Sequence, residues 1–390
     1  MSLYVQHGYG KANKISEAAR YPGTVGVILS PGDEDEQSLS MTIGRALQDD
    51  LRVLIDPQTY VYGLSPGGSA RKHAQNGIDF GSIHWSDDLR TIERRVSAVG
   101  NLGDRLGISG KMIAPSGLQY SFADVWTPLA FQYARTAADM WGPDRTIATI
   151  AIDEGALDDW SRVADWLDVA TTLDVAGFYL LVARQRGTYP AAPWSGARLS
   201  NLLKLIYSLA IVNEYEVIWG YSDIEGLLGL AVGAQGIAAG WHNTLRSFTP
   251  AKWQPSLSQG GRPPAARYFL SNLLSPLRAE DEVSLLYRSR LREEVFTPVD
   301  RERFSAREFD SWTRPEAQSH HLAVLSEHAI RIVRLGAIND RVAYLRGLLS
   351  NASHLFATAK TAGIALPGLY QARVESFAES LDSFVREEYL

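Results

Sequence analysis

The sequence predicts an α/β protein: a (β/α)8 barrel of the TIM type with a helical extension at its C-terminus. Three observations predict it. Short apolar runs recur eight times before residue 242, near-continuous rather than alternating, as strands covered by helices on both faces require. Most of these runs end in a small polar cluster and lead into an amphipathic helical stretch. The chain is 390 residues long, beyond the roughly 250 of a typical barrel, and the surplus follows the eighth run.

Leu3-Tyr4-Val5-Gln6-His7 is strand one, and Gly8-Tyr9-Gly10-Lys11 is a short turn after it. Gly26 to Ser30 is strand two. Asp33 to Asp49 then opens with acids and continues as a helix, acids being suited to a helix N-terminus. Val53 to Asp56 is strand three. Residues 62–85 are too long and glycine-rich for a simple turn and read as a functional loop or lid. Met112 to Ser116, Ile147 to Asp153, Gly177 to Ala183, Val217 to Asp223 and Gly236 to Trp241 complete the eight strands. Helices fit 86–106, 122–140, 157–172, 196–212 and 224–233. A second loop, 242–266, carries Pro250, Pro255, Gly260-Gly261 and Pro263-Pro264. Arg267 to Leu274 is a ninth segment, strand-like or helical. With the Leu3 segment as strand one, the barrel closes at Ile237 to Trp241. The chain then divides into a barrel over 1–266 and a mainly helical region over 267–390. Its helices, interrupted at Pro298, Pro315 and Gly363 to Pro367, are expected to pack on the barrel or to form a homo-oligomer interface.

A net charge of −6 and 45% hydrophobic residues describe an ordinary soluble globular protein and give no support to general nucleic-acid affinity. Cysteine is absent, which excludes disulfides, thiol nucleophiles and thiolate metal sites. Met1 to Lys14 lacks the basic and apolar stretches of a secretory leader, and no apolar run approaches the roughly 20 residues of a membrane span. A cytoplasmic location is expected.

The strand ends supply the chemistry, because barrels build their sites there. Asp56, Asp153, Glu154 and Asp223 stand at the ends of strands three, five and seven and are the catalytic candidates. Convergence on one face with His7 would leave one carboxyl protonated as an acid and its neighbour ionised as a base or nucleophile, the equipment for breaking glycosidic bonds. A divalent cation held by the same oxygens and His7 is the competing expectation, although no spacing motif calls for a metal, and no cofactor is called for. Helix capping by Asp153 and Asp223 is the structural alternative. His7, Gln119, Tyr221, Trp241, His242 and Arg246 are the substrate-binding candidates. Trp241 offers a stacking face and Arg246 a fork for phosphate or carboxylate. The glycine loops at residues 67–72 and 260–262 could hold anions or simply bend. His320, His321 and His328 fall on a helix away from the barrel and read as surface or packing.

Ser116-Gly117-Leu118-Gln119 after a strand, Ile150-Ala151-Ile152-Asp153-Glu154, and His320-His321-Leu322 in the helical C-terminal segment together resemble the tRNA-guanine transglycosylase family. The resemblance implies a (β/α)8 barrel that exchanges a base through attack by an aspartate. The chain departs from that pattern in three places. It has no cysteines for the family's zinc site, Gly240-Trp241-His242 stands where the nucleophilic aspartate is expected, and Pro115 replaces the base-side aspartate. The expectation is therefore an enzyme that breaks or exchanges a glycosidic bond of a sugar- or nucleoside-containing substrate. A metal-assisted hydrolase using the same acids and a non-catalytic barrel that binds a ligand or partner are the alternatives.

Overall fold

Each apolar run does become a parallel strand. The computed structural model describes residues 2–8, 13–64, 72–185, 188–253, 265–305 and 309–388. Strands β1 (Leu3–Gln6), β2 (Thr24–Leu29), β3 (Arg52–Ile55), β4 (Met112–Ile113), β5 (Thr146–Asp153), β6 (Gly177–Ala183), β7 (Glu216–Trp219) and β8 (Gly236–Ala239) alternate with helices α1 (Asn13–Ala18), α2 (Glu36–Gln48), α3 (Leu89–Arg105), α4 (Trp126–Trp141), α5 (Trp160–Ala170), α6 (Gly196–Tyr207) and α7 (Gly226–Ala231). The hydrogen-bonded order is β3-β2-β1-β8-β7-β6-β5-β4. Because β1 pairs with both β2 and β8, the sheet curls into a nearly closed TIM-type barrel. The Leu3 segment is strand one and the barrel closes at β8, as the apolar runs predict.

The opening lies between β3 and β4, and local chemistry explains it. Regular β4 is two residues long, and Pro115, two residues past its end, has no N–H to give to a ladder. The chain nevertheless stays beside β5. Ala114 N donates to Ile147 O (2.9 Å), Gln119 N to Ala151 O (2.8 Å) and Asp153 N to Gln119 O (2.8 Å). Met112 pairs with Thr146 but Gln119 with Ile152, so one extra residue is accommodated as a bulge. Side chains close the gap: Thr59 Oγ1 accepts from Ser116 N (2.9 Å) and donates to Ser116 O (2.8 Å).

Alternation of large and small residues fills the interior. A Cβ at Gly26 or Gly236 would stand 2.7 or 2.8 Å from the Tyr4 ring, and one at Gly220 would stand 2.5 Å from that of Tyr179. Glycine therefore makes room on the neighbouring strands for two tyrosines that plug the barrel. Tyr4 Oη accepts from Arg52 Nη1 (3.1 Å), and Arg52 pairs with Glu216 at the N-terminal end (3.3 Å).

The ninth segment is strand β9 (Arg267–Leu270), which forms an antiparallel hairpin with β10 (Ser275–Arg278) outside the barrel. Short helices α8 (Ser284–Tyr287), α9 (Arg292–Val295) and α10 (Pro298–Ser305) lead to three long ones, α11 (Arg314–Arg334), α12 (Ile338–Thr361) and α13 (Gly368–Glu388). A capping box, Thr313 with Glu316, starts α11, and Pro315 sits in its first turn, where a missing N–H costs nothing. Helix α11 packs on β9 and α7, α12 on α7, and α13 along α6. One apolar core joins the outer face of the barrel to these helices, from Val5 and Leu227 through Leu325 to Phe384. Among the described residues, no helix is long and apolar enough to cross a membrane.

Candidate functional site

Inward-facing positions of the strands end in a polar cluster at the C-terminal mouth. Asp56, one step past β3, is wholly buried. Its Oδ1 accepts from Gln58 N (2.9 Å), an Asx turn that ends the strand, and its Oδ2 accepts from Tyr60 Oη (2.7 Å). Tyr179 from β6 shares its hydroxyl proton between Asp56 Oδ2 (3.3 Å) and Gln6 Oε1 on β1 (3.1 Å). Burial pushes the Asp56 carboxyl up to about 6 against the pull of these hydrogen bonds and of Lys252. Burial and then the Asp56 charge hold Tyr60 and Tyr179 far above the ordinary phenol range, so both remain donors.

Two non-glycine residues in the left-handed region face each other beside this carboxyl. Gln58 has φ 54° and Tyr221 φ 49°, and Gln58 Nε2 donates to Tyr221 Oη (2.9 Å). Such backbone is held only where its surroundings over-determine it. Phe248 packs against both Tyr60 and Tyr221, with ring centroids 5.1 and 5.7 Å away. Lys252 lies close by, with Nζ 3.6 Å from Asp33 Oδ2 and over the Tyr221 and Trp253 rings. Burial lowers the pKa of its ammonium, opposed by Asp33 and Asp56. Several buried polar atoms around the mouth have no hydrogen-bond partner among the described residues: Gln6 Nε2, Gln58 Oε1, Ser30 Oγ, Gln119 Nε2, Lys252 Nζ and both ring nitrogens of His7. Buried groups of this kind are ordinarily satisfied.

The other acids do not join Asp56. Asp153 points inward from the end of β5, half-buried, its Oδ1 accepting from Gly155 N (2.8 Å). Its carboxyl is raised by burial and then by Glu154, and it makes no hydrogen bond to Asp56. Glu154 turns outward into an ion pair with buried Arg184 (2.9 Å) and accepts from Gln185 N (3.0 Å). Asp223 also turns outward, to His321 Nε2 (2.6 Å) and Tyr189 Oη (3.0 Å). Burial opposes its ionisation, but His321, Arg246 and Arg373 overcome this and hold the carboxyl low. His321 is therefore not on a helix away from the barrel. It is fully buried and ties α11 to the end of β7.

The convergence of four acids with His7 is thus replaced by separate pairs. His7 Nε2 stands 3.5 Å from Glu34 Oε2, and among the described residues no three of His, Asp and Glu come together as a metal-ligand group. Gln119 Oε1 accepts from Thr127 Oγ1 (3.0 Å). Trp241 is only 3% exposed and its ring is packed in the core, with Lys14 Nζ 5.7 Å above it. Arg246 donates to Gly240 O (2.8 Å), Trp241 O (3.2 Å) and Tyr189 Oη (3.1 Å). His242 is exposed, with Gln318 Nε2 3.4 Å from its Nδ1. The turn at residues 9–11 and the glycines at 67–70 and 260–261 lie outside the described residues.

Sequence reasoning passed over Tyr60, Tyr179, Gln58 and Lys252. The one signal for Tyr179 is Gly220, one residue past β7, whose missing side chain leaves room for the Tyr179 ring, and that becomes visible only when β6 and β7 are set in register with Tyr179 beside Ile218.

No family model and no curated protein matches the chain. Among solved structures it is similar to a thiamine phosphate pyrophosphorylase from Pyrococcus furiosus, at 10% identity and a TM-score of 0.33, over 65% of this chain and 90% of that one. It is also similar to a probable tagatose 6 phosphate kinase from Sinorhizobium meliloti 1021, at 12% identity and a TM-score of 0.37, over 98% of this chain and 99% of that one. Likenesses this distant carry no argument about activity, and the resemblance to tRNA-guanine transglycosylases reduces to a barrel fold. Strand order alone establishes that the chain is a TIM-type α/β barrel with C-terminal helices.

Proposed function

We propose that the protein is an enzyme that breaks or exchanges a glycosidic bond of a sugar- or nucleoside-containing substrate, with Asp56 as its acid–base group. One observation carries this reading: a fully buried carboxyl, lifted to about 6, stands among three tyrosines at the strand-end mouth. At that value Asp56 is available in both forms near neutrality, which suits a group that gives a proton to a leaving oxygen or nitrogen and takes one from water. Asp153, inward on β5 and also raised but not hydrogen-bonded to Asp56, would supply the second carboxylate from across the mouth. The unpartnered Nε2 atoms of Gln6 and Gln119 and the unpartnered Oε1 of Gln58 suit the hydroxyls of a sugar ring. Phe248, packed on Tyr60 and Tyr221, and Lys252, over the Tyr221 ring, border the cluster on one side.

The test is release of nitrophenol or free base from a panel of nitrophenyl glycosides and nucleosides. The wild-type chain is expected to turn over at least one of them, and Asp56→Asn to lower kcat by about 10²–10⁴-fold with folding intact. Undiminished activity in Asp56→Asn would overturn the assignment. Turnover lost on exhaustive chelation would favour metal-assisted hydrolysis, and no turnover at all would favour a binding barrel.

A further inference from the structure

We propose that the cavity between the turn after β8 and the start of α11 is a binding site for a phosphate group. Its volume is about 180 Å³, and Arg246, Arg267, Arg314, His242, Asn243 and Gln318 are among its lining residues. No carboxylate lines it among the described residues. The three guanidiniums come from three separate elements: the turn after β8, strand β9 and the first residue of α11. Like charges held on one small cavity repel unless an anion shares it.

The present partners of these arginines leave donors over. Arg246 is 3% exposed. It uses one Nε–H, one Nη1–H and one Nη2–H on Gly240 O, Tyr189 Oη and Trp241 O. A guanidinium has five N–H groups, so one remains on each terminal nitrogen of a buried side chain that lines the cavity. Arg267 gives Nη1 to Pro276 O and Tyr370 Oη, both neutral. Arg314 is exposed and has no ion-pair partner among the described residues. The field at the rim is positive: the pKa of His242 is lowered by burial and then by Lys14, Arg246 and Arg314. Arginine forks match the oxygens of a phosphate, and the loops after the last two strands of such barrels are suited to hold one.

The cavity shares no residue with the Asp56 cluster, so the site stands on its own geometry. Resting on the glycosidic reading as well, it makes the substrate a phosphorylated sugar or a nucleotide. The experiment is isothermal titration of the full chain with inorganic phosphate and with ribose 5-phosphate, using ribose as the control. Both phosphates are expected to bind and ribose to give no comparable heat. Arg314→Gln, and independently Asn243→Asp, which puts a negative charge into the lining, are each expected to weaken binding at least ~10-fold. Asp56→Asn should bind phosphate as the wild type does, which separates failure of this site from failure of the acid–base assignment. Absence of phosphate binding by the wild type, or unchanged affinity in both lining variants, would overturn the proposal.

Discussion

The buried Asp56 carboxyl is the proposed acid–base group, and its raised pKa also has a consequence for folding. A carboxyl lifted from 3.8 to about 6 holds its proton more tightly in the folded chain than in the unfolded one. Between about pH 4 and pH 6 the folded state carries the extra proton, so stability is highest below this window and falls as pH rises through it. The cost is on the order of 3 kcal/mol once Asp56 is ionised. Asp56→Asn has no such group. Its melting temperature is expected to gain on that of the wild type as pH rises from 4 to 6 and to keep a constant offset above that. Parallel thermal melts across this range decide the matter, and an offset that never changes would show that Asp56 does not titrate there. At this scale the sequence was informative about Asp56 and Asp153, because each closes an apolar run that could be read directly. Tyr179 was hidden, because a tyrosine inside Phe-Tyr-Leu-Leu reads as core, and only the closed barrel, where its ring lies against Gly220, brings its hydroxyl to Asp56.

Among the elements, α11 is the one whose placement could not be read from the linear chain. Its amphipathic pattern announces a packed helix, and Pro315 marks a break in the helical pattern near its start. Neither says which surface it covers. The answer lies in a contact between residues 98 positions apart, His321 with Asp223. Removing the imidazole leaves the Asp223 carboxylate buried with Tyr189 as its remaining hydrogen-bond donor. His321→Ala is accordingly expected to destabilise the chain by about 3–5 kcal/mol, measured by denaturant unfolding. A loss below about 1 kcal/mol would mean that apolar packing alone docks α11. The same logic explains why Glu154 and Asp223 looked catalytic in sequence. Both follow strands, but each falls at a position that points away from the barrel axis, where Arg184 and His321 are waiting.

For the whole molecule, the apolar core runs without a break from the barrel helices into α11, α12 and α13, and Lys204 on α6 pairs with Glu387 on α13 (2.8 Å). One cooperative unfolding transition is therefore expected, seen together by tryptophan fluorescence and far-ultraviolet circular dichroism. Two separated transitions would show that the C-terminal helices form an independent unit. By itself the sequence determined the eight strands, their parallel direction, the helices between them and the polar clusters at the strand exits. These are local matters, since a strand buried on both faces has to be apolar throughout and a polar cluster has to mark its exit. Tertiary structure alone decided which strand-end groups meet. In a strand, one residue of register turns a side chain from the barrel axis to the outer shell, and that difference separates a tyrosine-bound acid from a buried hydrogen bond that docks a helix.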